Sequence, residues 1–379
     1  MRLMYVVDAL AVYGGLERIV VDKINWLSVQ GGCEVHVVTS DQGNHPVSFP
    51  LNPGVFHDDL DIRFFDQYKY SGIRRFLCIH RLHQLYRSRL KVKIRDVSPD
   101  VVICSQKQLM HDVYKVCDNI PLVFECHSAC LSAKFENFRF WQKLLNTKYN
   151  RDAGKADVVV ALTNGDASEW RKFAQRVEVI PNMVHLNDTG RYSSCQSKKA
   201  IFVGRYSTQK DIGSLIRIWQ LVYQRHPEWE LHVYGGYGNQ PDKWLEIITQ
   251  TNANIFAHEA TSQINEKYLE SSMLLLTSVH EPFGLVLSEA MSCGLPVVSF
   301  DCPYGPADII SDGVDGFLIK DRNIVVFADR VCQLIENEEI RVRMGKAGIL
   351  SSQRYRADRI MPQWFELFKQ VVHSKDCRL

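Results

Sequence analysis

Glu281 and Glu289 are the residues of this chain best placed to do chemistry. They stand eight positions apart in His280-Glu281-Pro282-Phe283-Gly284-Leu285-Val286-Leu287-Ser288-Glu289-Ala290-Met291-Ser292-Cys293-Gly294-Leu295-Pro296-Val297-Val298. The apolar run Leu274-Leu275-Leu276-Thr277 leads into the loop with Glu281, a short helix carries Glu289, Gly294 stops it, and a second apolar strand follows. In such a β–loop–α–β unit the loop leaves the strand's carboxyl end, where open parallel sheets bind ligands. Pro282 suits a first helical position and Gly294 a C-terminal stop. A helix over 283–293 would then aim the amides of Phe283, Gly284 and Leu285 at an anion. Glu289 would lie about a turn and a half further along. A lone carboxylate beside phosphate repels it; two make sense if they accept hydrogen bonds from sugar hydroxyls, as in a sugar nucleotide. The plainer alternative is one acid complementing the helix dipole and one surface acid.

Other candidates also fall at strand ends. Gly204-Arg205-Tyr206 closes an apolar strand and Lys210-Asp211 opens the next helix. Two cations so placed could hold a diphosphate and stabilise its charge as it leaves, or could be solvated surface residues. Tyr13-Gly14-Gly15-Leu16-Glu17-Arg18 follows the first strand. Its glycines allow close approach of a ligand to the backbone, but it is not the dinucleotide fingerprint G-x-G-x-x-G and also reads as a tight turn. Phe124-Glu125-Cys126-His127 ends another strand, with His127 open to roles as general base or core histidine. Zinc is not expected there, since Cys126, His127 and Cys130 lack a fourth ligand nearby. Tyr234-Gly235-Gly236-Tyr237-Gly238 and His258-Glu259-Ala260 also end strands, as turns or as the floor for a nucleotide base.

Taken together, Glu281-Pro282-Phe283-Gly284, Glu289-Ala290-Met291 and Gly294-Leu295-Pro296-Val297-Val298 resemble the E-x7-E signature of the retaining glycosyltransferases of family four. Asp301-Cys302-Pro303-Tyr304-Gly305-Pro306-Ala307-Asp308-Ile309-Ile310 and Asp312-Gly313-Val314-Asp315-Gly316-Phe317-Leu318 continue the likeness, which spans nearly the whole chain and is strongest over 199–350. Within the family it is similar to bacterial enzymes that build surface polysaccharides. The resemblance implies the GT-B fold and a donor that is a nucleotide-diphosphate sugar, with UDP preferred. It assigns the ribose hydroxyls to Glu289. The sugar and its phosphate fall to Glu281 and the amides of Phe283, Gly284 and Leu285, and the departing diphosphate to Arg205 and Lys210. Gly15, Gly235 and Glu259 complete the donor contacts, and His127 is the residue beside the reacting carbon. The acceptor would be a saccharide or a lipid-linked saccharide. No metal or other cofactor is expected. A sugar-nucleotide epimerase on a similar two-lobed fold is the alternative; it would need no acceptor.

The elements needed to position these residues are legible as alternation. Strand Leu3–Val7, helix Leu16–Gln30 and strand Val35–Thr39 open the chain; a helix over 71–94, strand Val101–Ile103, strand Leu122–Phe124, a helix over 138–152, strand Asp157–Leu162, a helix over 165–176 and strand Val177–Ile180 follow. A second series runs from strand Ala200–Val203 to the unit around Glu281. Strands alternating with helices predict doubly wound parallel sheets, an α/β fold. We expect two Rossmann-like domains facing a cleft: 1–184 plus about 355–379 on the acceptor side, and 199–354 binding the donor. The polar stretch 185–198 is the expected linker. A last helix over 358–371 carries Met361, Trp364, Phe365 and Phe368 on one face, and the resemblance sends it back to the first domain.

The chain has 379 residues, 46% of them hydrophobic and 23% charged; its formal net charge of +2 says little about partners by itself, and nucleic acid is not expected as a partner because the chain outside 69–95 is not basic. Its eleven cysteines show no C-x2-C pairs and read as buried thiols of a reducing compartment. A cytoplasmic location follows as the expectation, since no apolar run approaches the ~20 residues needed to span a bilayer and the first strand is too short for a secretory leader. The segment 69–95 departs from this ordinary balance. It holds Lys69, Arg74, Arg75, Arg81, Arg87, Arg89, Lys91, Lys93 and Arg95 and no acid, with Ile73, Phe76, Leu77, Leu82, Leu85, Tyr86 and Leu90 on one helical face. That pattern fits either docking on an anionic membrane surface, peripherally on the inner face of the cytoplasmic membrane, or a helix packed on its own sheet with a solvated basic face. The Asp59-Leu60-Asp61 triplet lies in a loop-like stretch away from the donor motifs and reads as a chance match to a metal-binding D-x-D.

Overall fold

The structure is a computed structural model, and it describes residues 1–12, 14–131, 140–236 and 241–376. Two compact units emerge. One runs from Met1 to Met183 and takes back the chain from Asp358 onward; the other is Val184–Ala357.

The first unit is built on β1 (Arg2–Val7), α1 (Gly15–Val29), β2 (Glu34–Thr39), β3 (Val55–Asp59), α2 (Gly72–Val97), β4 (Val101–Cys104), α3 (Met110–Val116), β5 (Leu122–Glu125), α4 (Phe140–Ala153), β6 (Val158–Ala161), α5 (Asn164–Trp170) and β7 (Val177–Val179). Its strands are short, rich in valine, and mostly buried on both faces, as a helix-covered parallel sheet requires. They pair in parallel in the order β3-β2-β1-β4-β5-β6-β7.

The second unit repeats the plan with β8 (Lys199–Val203), α6 (Ile212–Arg225), β9 (Glu230–Tyr234), α7 (Pro241–Gln250), β10 (Ile255–His258), α8 (Ile264–Leu269), β11 (Met273–Leu276), α9 (Leu285–Ser292), β12 (Val297–Phe300), α10 (Pro306–Ile309), β13 (Gly316–Ile319), α11 (Ile324–Glu336) and α12 (Glu338–Ser352). Its order is β10-β9-β8-β11-β12-β13. In each unit the chain starts in mid-sheet, winds out one way and then the other. The switch points fall between β1 and β4 and between β8 and β11, and crevices at such points take ligands. The two parallel-sheet, Rossmann-like units are the α/β architecture expected.

Several expectations need correction. Strand β3 has no counterpart in the sequence pattern, so Asp59 closes a strand instead of standing in a loop. Its carboxylate accepts hydrogen bonds from the amides of Gly43 (2.9 Å) and Gln42 (3.2 Å) and the Thr39 hydroxyl (3.0 Å), a structural cap. The helix expected over 165–176 stops at Trp170, because Trp170, buried against Phe124 and Phe173, ends it in turns. The first residues of the helix expected over 138–152 lie outside the described residues. The stretch His185–Lys198 contains no regular element but is pinned within the second unit. The Asn187 amide donates to Ser292 Oγ (3.0 Å), the Ser193 amide to the Cys293 carbonyl (2.9 Å), and Arg341 Nε to the Cys195 carbonyl (2.8 Å).

Helix α2 divides into two halves. Only Tyr86, Leu90, Ile94 and Val97 are buried. In that half the cations are engaged at home: Arg87 with Asp112 (2.6 Å), Lys93 with Asp58 (2.5 Å), and Arg89 on the Leu60 and Asp61 carbonyls. In the first half Ile73, Phe76 and Leu77 are 79%, 69% and 59% exposed. The apolar residues read from the sequence as one face therefore pack only in the second half, because at about 3.6 residues per turn Ile73 lies on the opposite side of the helix from Leu82.

The terminal helix α13 (Ala357–Asp376) lies in the first unit. Met361, Trp364, Leu367, Phe368 and Val371 are buried. Lys375 pairs with Asp157 (3.2 Å) and Arg176 donates to Gln370 (2.8 Å). Leu367, rather than the half-buried Phe365, belongs to the packed stripe. Trp364→Ala is expected to lower the unfolding free energy by about 3–5 kcal/mol, the range for emptying a buried aromatic site; urea denaturation followed by circular dichroism measures it.

Candidate functional site

The loops that leave β8 and β11, neighbours across the switch point, are stitched together. The Val279 amide donates to the Gln209 carbonyl (2.7 Å), Gln209 Nε2 to the His280 carbonyl (3.0 Å), and Thr277 Oγ1 to the Lys210 carbonyl (2.9 Å). This places Lys210 Nζ 2.5 Å from Glu281 Oε1, and Ser278 Oγ donates to the same oxygen at 2.6 Å. Lys210 is 13% exposed at its side chain and Glu281 6%, so the pair is largely withdrawn from water. The Glu281 backbone is held from the other side: its amide donates to the Pro303 carbonyl, while its carbonyl accepts from the amides of Tyr304 (2.9 Å) and Gly305 (2.8 Å). A Cβ at Gly305 would lie 1.7 Å from the Phe283 carbonyl oxygen, so only glycine lets these loops meet.

The helix after Glu281 starts later than its sequence pattern predicts. Gly284 takes φ 102°, which a helical residue cannot, and becomes the N-cap, so α9 begins at Leu285 and Pro282 is not its first residue. Gly284 has no side chain with which to cap, and first-turn amides have no intrahelical acceptor; the amides without an intrahelical acceptor therefore begin at Leu285, with Phe283 buried below. Glu289 lies on α9 as expected, where the buried Tyr268 hydroxyl donates to its Oε2 at 3.2 Å. Burial, then the Glu289 charge, pushes the Tyr268 phenol well above its ordinary range.

Arg322 is a residue the sequence does not single out. Its guanidinium donates to Asp211 Oδ2 (2.5 Å) and to the carbonyls of Thr277 (3.0 Å) and Ser278 (2.6 Å), and it stacks on Phe300 with 4.4 Å to the ring centroid. Asp211 caps α6 through Ser214. One side chain thus clamps the loop with Lys210 to the loop with Glu281. No spacing rule marks it, since its partners are carbonyls distant in sequence.

The remaining candidates of this unit are placed separately. Arg205 is exposed beyond β8 and makes no ion pair among the described residues. Gly235 is buried at the end of β9 with its amide on the His258 carbonyl (3.1 Å). Glu259 is exposed beyond β10; Tyr237 and Gly238 lie outside the described residues.

In the first unit, Gly15 is exposed at the start of α1 behind the uncapped Gly14, and Tyr13 lies outside the described residues. At the end of β1, burial, then Asp41 and Glu17, pushes the Asp8 carboxyl up to about 7. His127 follows β5 with its Nε2 3.1 Å from Glu125 Oε1. Lys23 of α1 donates to that same oxygen and lies under the Trp364 ring of α13, 3.6 Å from its centroid. Burial opposes charge on Glu125, but Lys23 and His127 outweigh it and hold the carboxyl at about 2. Lys23 is invisible in sequence because nothing distinguishes it from a solvated helix lysine. Among the described residues no group of three or more His, Cys, Asp or Glu is arranged to hold a metal ion.

Comparison with known proteins bears on this arrangement. Residues 193–350 match the family described as "Glycosyl transferases group 1", and residues 13–188 match "Glycosyltransferase Family 4". The chain is 27% identical over 303 residues to the poly(ribitol-phosphate) alpha-N-acetylglucosaminyltransferase of Staphylococcus aureus, covering 77% of this chain and 58% of that protein. It is 30% identical over 224 residues to the amylovoran biosynthesis glycosyltransferase AmsD of Erwinia amylovora, covering 56% of this chain and 62% of that one. The chain thus spans about three-fifths of the length of these curated relatives. The crystal structure of a point mutant of S. aureus TarM, in complex with fondaparinux, alpha-GlcNAc-glycerol and UDP, superimposes with a TM-score of 0.79 at 16% identity over 97% of this chain and 99% of that one. That likeness shows the fold.

The raised Asp8 pKa has a consequence of definite sign. The folded state keeps a proton that the unfolded chain releases near pH 3.8, so this group's contribution to stability is lost as pH rises from there through about 7. Asp8→Asn is expected to raise the thermal unfolding midpoint more at pH 8 than at pH 5; a gain equal at both would refute the assignment.

Proposed function

We propose that this chain, whose two halves match glycosyltransferase family models, is a family-four glycosyltransferase of GT-B fold that transfers a hexose or N-acetylhexosamine from a nucleotide-diphosphate sugar, UDP-linked, to a saccharide or lipid-linked saccharide in glycan biosynthesis, with retention of anomeric configuration. The observation that carries this reading is the Lys210–Glu281 contact at the β8/β11 switch point, 2.5 Å long and largely out of water. A cation there meets a leaving diphosphate and an anion meets sugar hydroxyls, and neither alone would suit both. The Staphylococcus relative's name and the UDP in the TarM complex support a UDP-sugar donor and a surface-polymer acceptor. The epimerase alternative has no support in the matched families.

In this proposal the second unit grips the donor. Glu289 on α9 takes the ribose hydroxyls, Gly235 and Glu259 border the base, and the amides after Gly284 face phosphate. Arg205, exposed and without an ion pair among the described residues, joins Lys210 on the diphosphate. The first unit contributes His127 and Gly15. By resemblance the acceptor attacks on the leaving group's own face and a donor phosphate oxygen receives its proton. The protein's contribution is then positioning and fixed charge, and the two cations serve where a metal would otherwise neutralise the diphosphate. Lys210→Ala or Arg205→Ala is expected to lower the transfer rate by about 10²–10³, the effect of losing one preorganised charge-stabilising donor. Radiolabelled sugar transfer measures it, and wild-type rates in either variant would take that residue out of the mechanism.

The acceptor side includes a surface. We propose that the first half of α2 docks on an anionic membrane. Among the described residues no helix is long and apolar enough to cross a membrane. Ile73, Phe76 and Leu77 are exposed beside Arg74 and Arg81, which make no ion pair among the described residues, and Arg75 lies 4.8 Å from the Tyr68 ring, itself 71% exposed. Apolar side chains flanked by uncommitted arginines match an anionic headgroup layer over an acyl boundary. Replacing Arg74, Arg75 and Arg81 with Glu should abolish co-sedimentation with vesicles containing phosphatidylglycerol. Undiminished sedimentation, or equal binding to purely zwitterionic vesicles, would refute the docking surface.

A further inference from the structure

The first unit contains a buried charged group that the reaction as described does not use. Lys23 is 2% exposed and Glu125 0%. Lys23 Nζ and His127 Nε2 approach the same oxygen, Oε1 of Glu125, the imidazole at 3.1 Å. The His127 side chain is 8% exposed, immediately past the carboxyl end of β5. Trp364 roofs the ammonium from α13. The Glu125 Oε2 atom, the nearby Tyr5 hydroxyl and His127 Nε2 itself have no hydrogen-bond partner among the described residues, so the imidazole meets Oε1 as a close polar contact and not as an aligned hydrogen bond. Burial, then the Glu125 charge, raises the Tyr5 phenol well above its ordinary range.

Stability does not account for such an arrangement. A buried ion pair contributes little beyond offsetting its own desolvation, and packed apolar residues of similar volume commonly serve a fold as well or better. The surroundings here are apolar: Val123 of the same strand and Val160, the partner of Glu125 on β6, are fully buried. An incompletely hydrogen-bonded carboxylate is costlier still. What the pair does provide is a fixed acceptor at a strand end. The strand sets the Glu125 backbone, α1 supplies the counter-charge, α13 shuts out water, and the oxygen so fixed meets the imidazole.

We infer that Glu125 and Lys23 are positioning residues of the transfer reaction, a charge-balanced buried pair that fixes the orientation of the His127 ring. This rests on the proposed role of His127 beside the reacting sugar carbon. Glu125 touches neither donor nor acceptor in this assignment and acts through the imidazole; Lys23 acts through Glu125 by keeping its charge balanced. Misplacing a reacting-site group by about 1 Å costs on the order of 10²-fold in rate, and a ring without its anchor has that freedom.

The test separates positioning from stability by removing both charges together. Single substitutions leave one buried charge uncompensated and are expected to unfold early, so they decide nothing about the reaction. The double variant K23M/E125M removes both charges at similar volume, and K23M/E125Q does the same but keeps an acceptor oxygen for His127. Both should unfold within a few degrees of the wild type. K23M/E125M should lose roughly 10–100-fold in kcat, as for other outer-shell supports, with the donor KM nearly unchanged, and K23M/E125Q should recover most of that loss. Wild-type kcat in a folded K23M/E125M would overturn the inference. So would unfolding of both double variants far below the wild type, which would make the pair a requirement of the fold. Absence of sugar transfer by the wild type would instead refute the proposed function, and the unfolding comparison would still decide whether the pair is needed for folding.

Discussion

The contact between Lys210 and Glu281 organises the second unit. It joins the first turn after β8 to the loop after β11, and those strands are neighbours only because the chain reverses its winding direction between them. A reversal leaves two loops diverging from adjacent strand ends. Left alone, such loops would splay; here Arg322, Thr277, Gln209 and Ser278 tie them together. The partnership also settles the local charge. A carboxylate as withdrawn from water as Glu281 would be a liability without a cation, and Lys210 supplies one where both side chains are shielded from water.

The first unit solves a related problem differently. Its sheet has the same winding, but at its strand ends it places acids rather than cations. Asp8 is driven towards neutrality by burial, Asp41 and Glu17, whereas Glu125 stays ionised because Lys23 is buried with it. Two carboxyls at the carboxyl end of one sheet thus titrate in opposite directions, and the difference lies in their neighbours: Asp41 and Glu17 beside Asp8, Lys23 and His127 beside Glu125. The Lys23 ammonium is sealed by a tryptophan from the last helix. The return of α13 to the first unit therefore completes a polar interior as well as an apolar one.

Much of this is legible in the sequence, for identifiable reasons. Short valine-rich runs alternating with helical periods announce parallel sheets, and polar or glycine residues just past such runs announce strand ends. Glu281, Lys210, His127 and Glu289 stand out in that way. The pattern fails where the decisive partner is remote or is backbone. Arg322 acts on two carbonyls and an N-cap; Lys23 acts on a glutamate 102 residues away. The pattern starts helix α9 too early because Pro282 is a good first helical residue, while the tertiary contact of Gly305 with Phe283 asks for a left-handed Gly284. Strand β3 escapes it because its sequence, Val-Phe-His-Asp-Asp, is that of a half-exposed edge with no apolar run.

The split of α2 shows why a periodic pattern cannot by itself assign a surface. The apolar residues from Ile73 to Leu90 do not hold one stripe, since at about 3.6 residues per turn Ile73 and Leu82 lie on opposite sides of the helix. The halves differ also in the company of the cations. Where Arg87, Arg89 and Lys93 have acids and carbonyls of neighbouring elements within reach, the apolar side is buried and the charges are engaged internally. Where Arg74 and Arg81 have no ion pair among the described residues, Phe76 and Leu77 remain in water. Apolar surface left exposed on a folded domain costs solubility unless something covers it, and arginines without an ion pair along its border would suit the proposed anionic cover. The pairing of charges along one helix thus marks, together with the rotation of its apolar residues, which part packs at home.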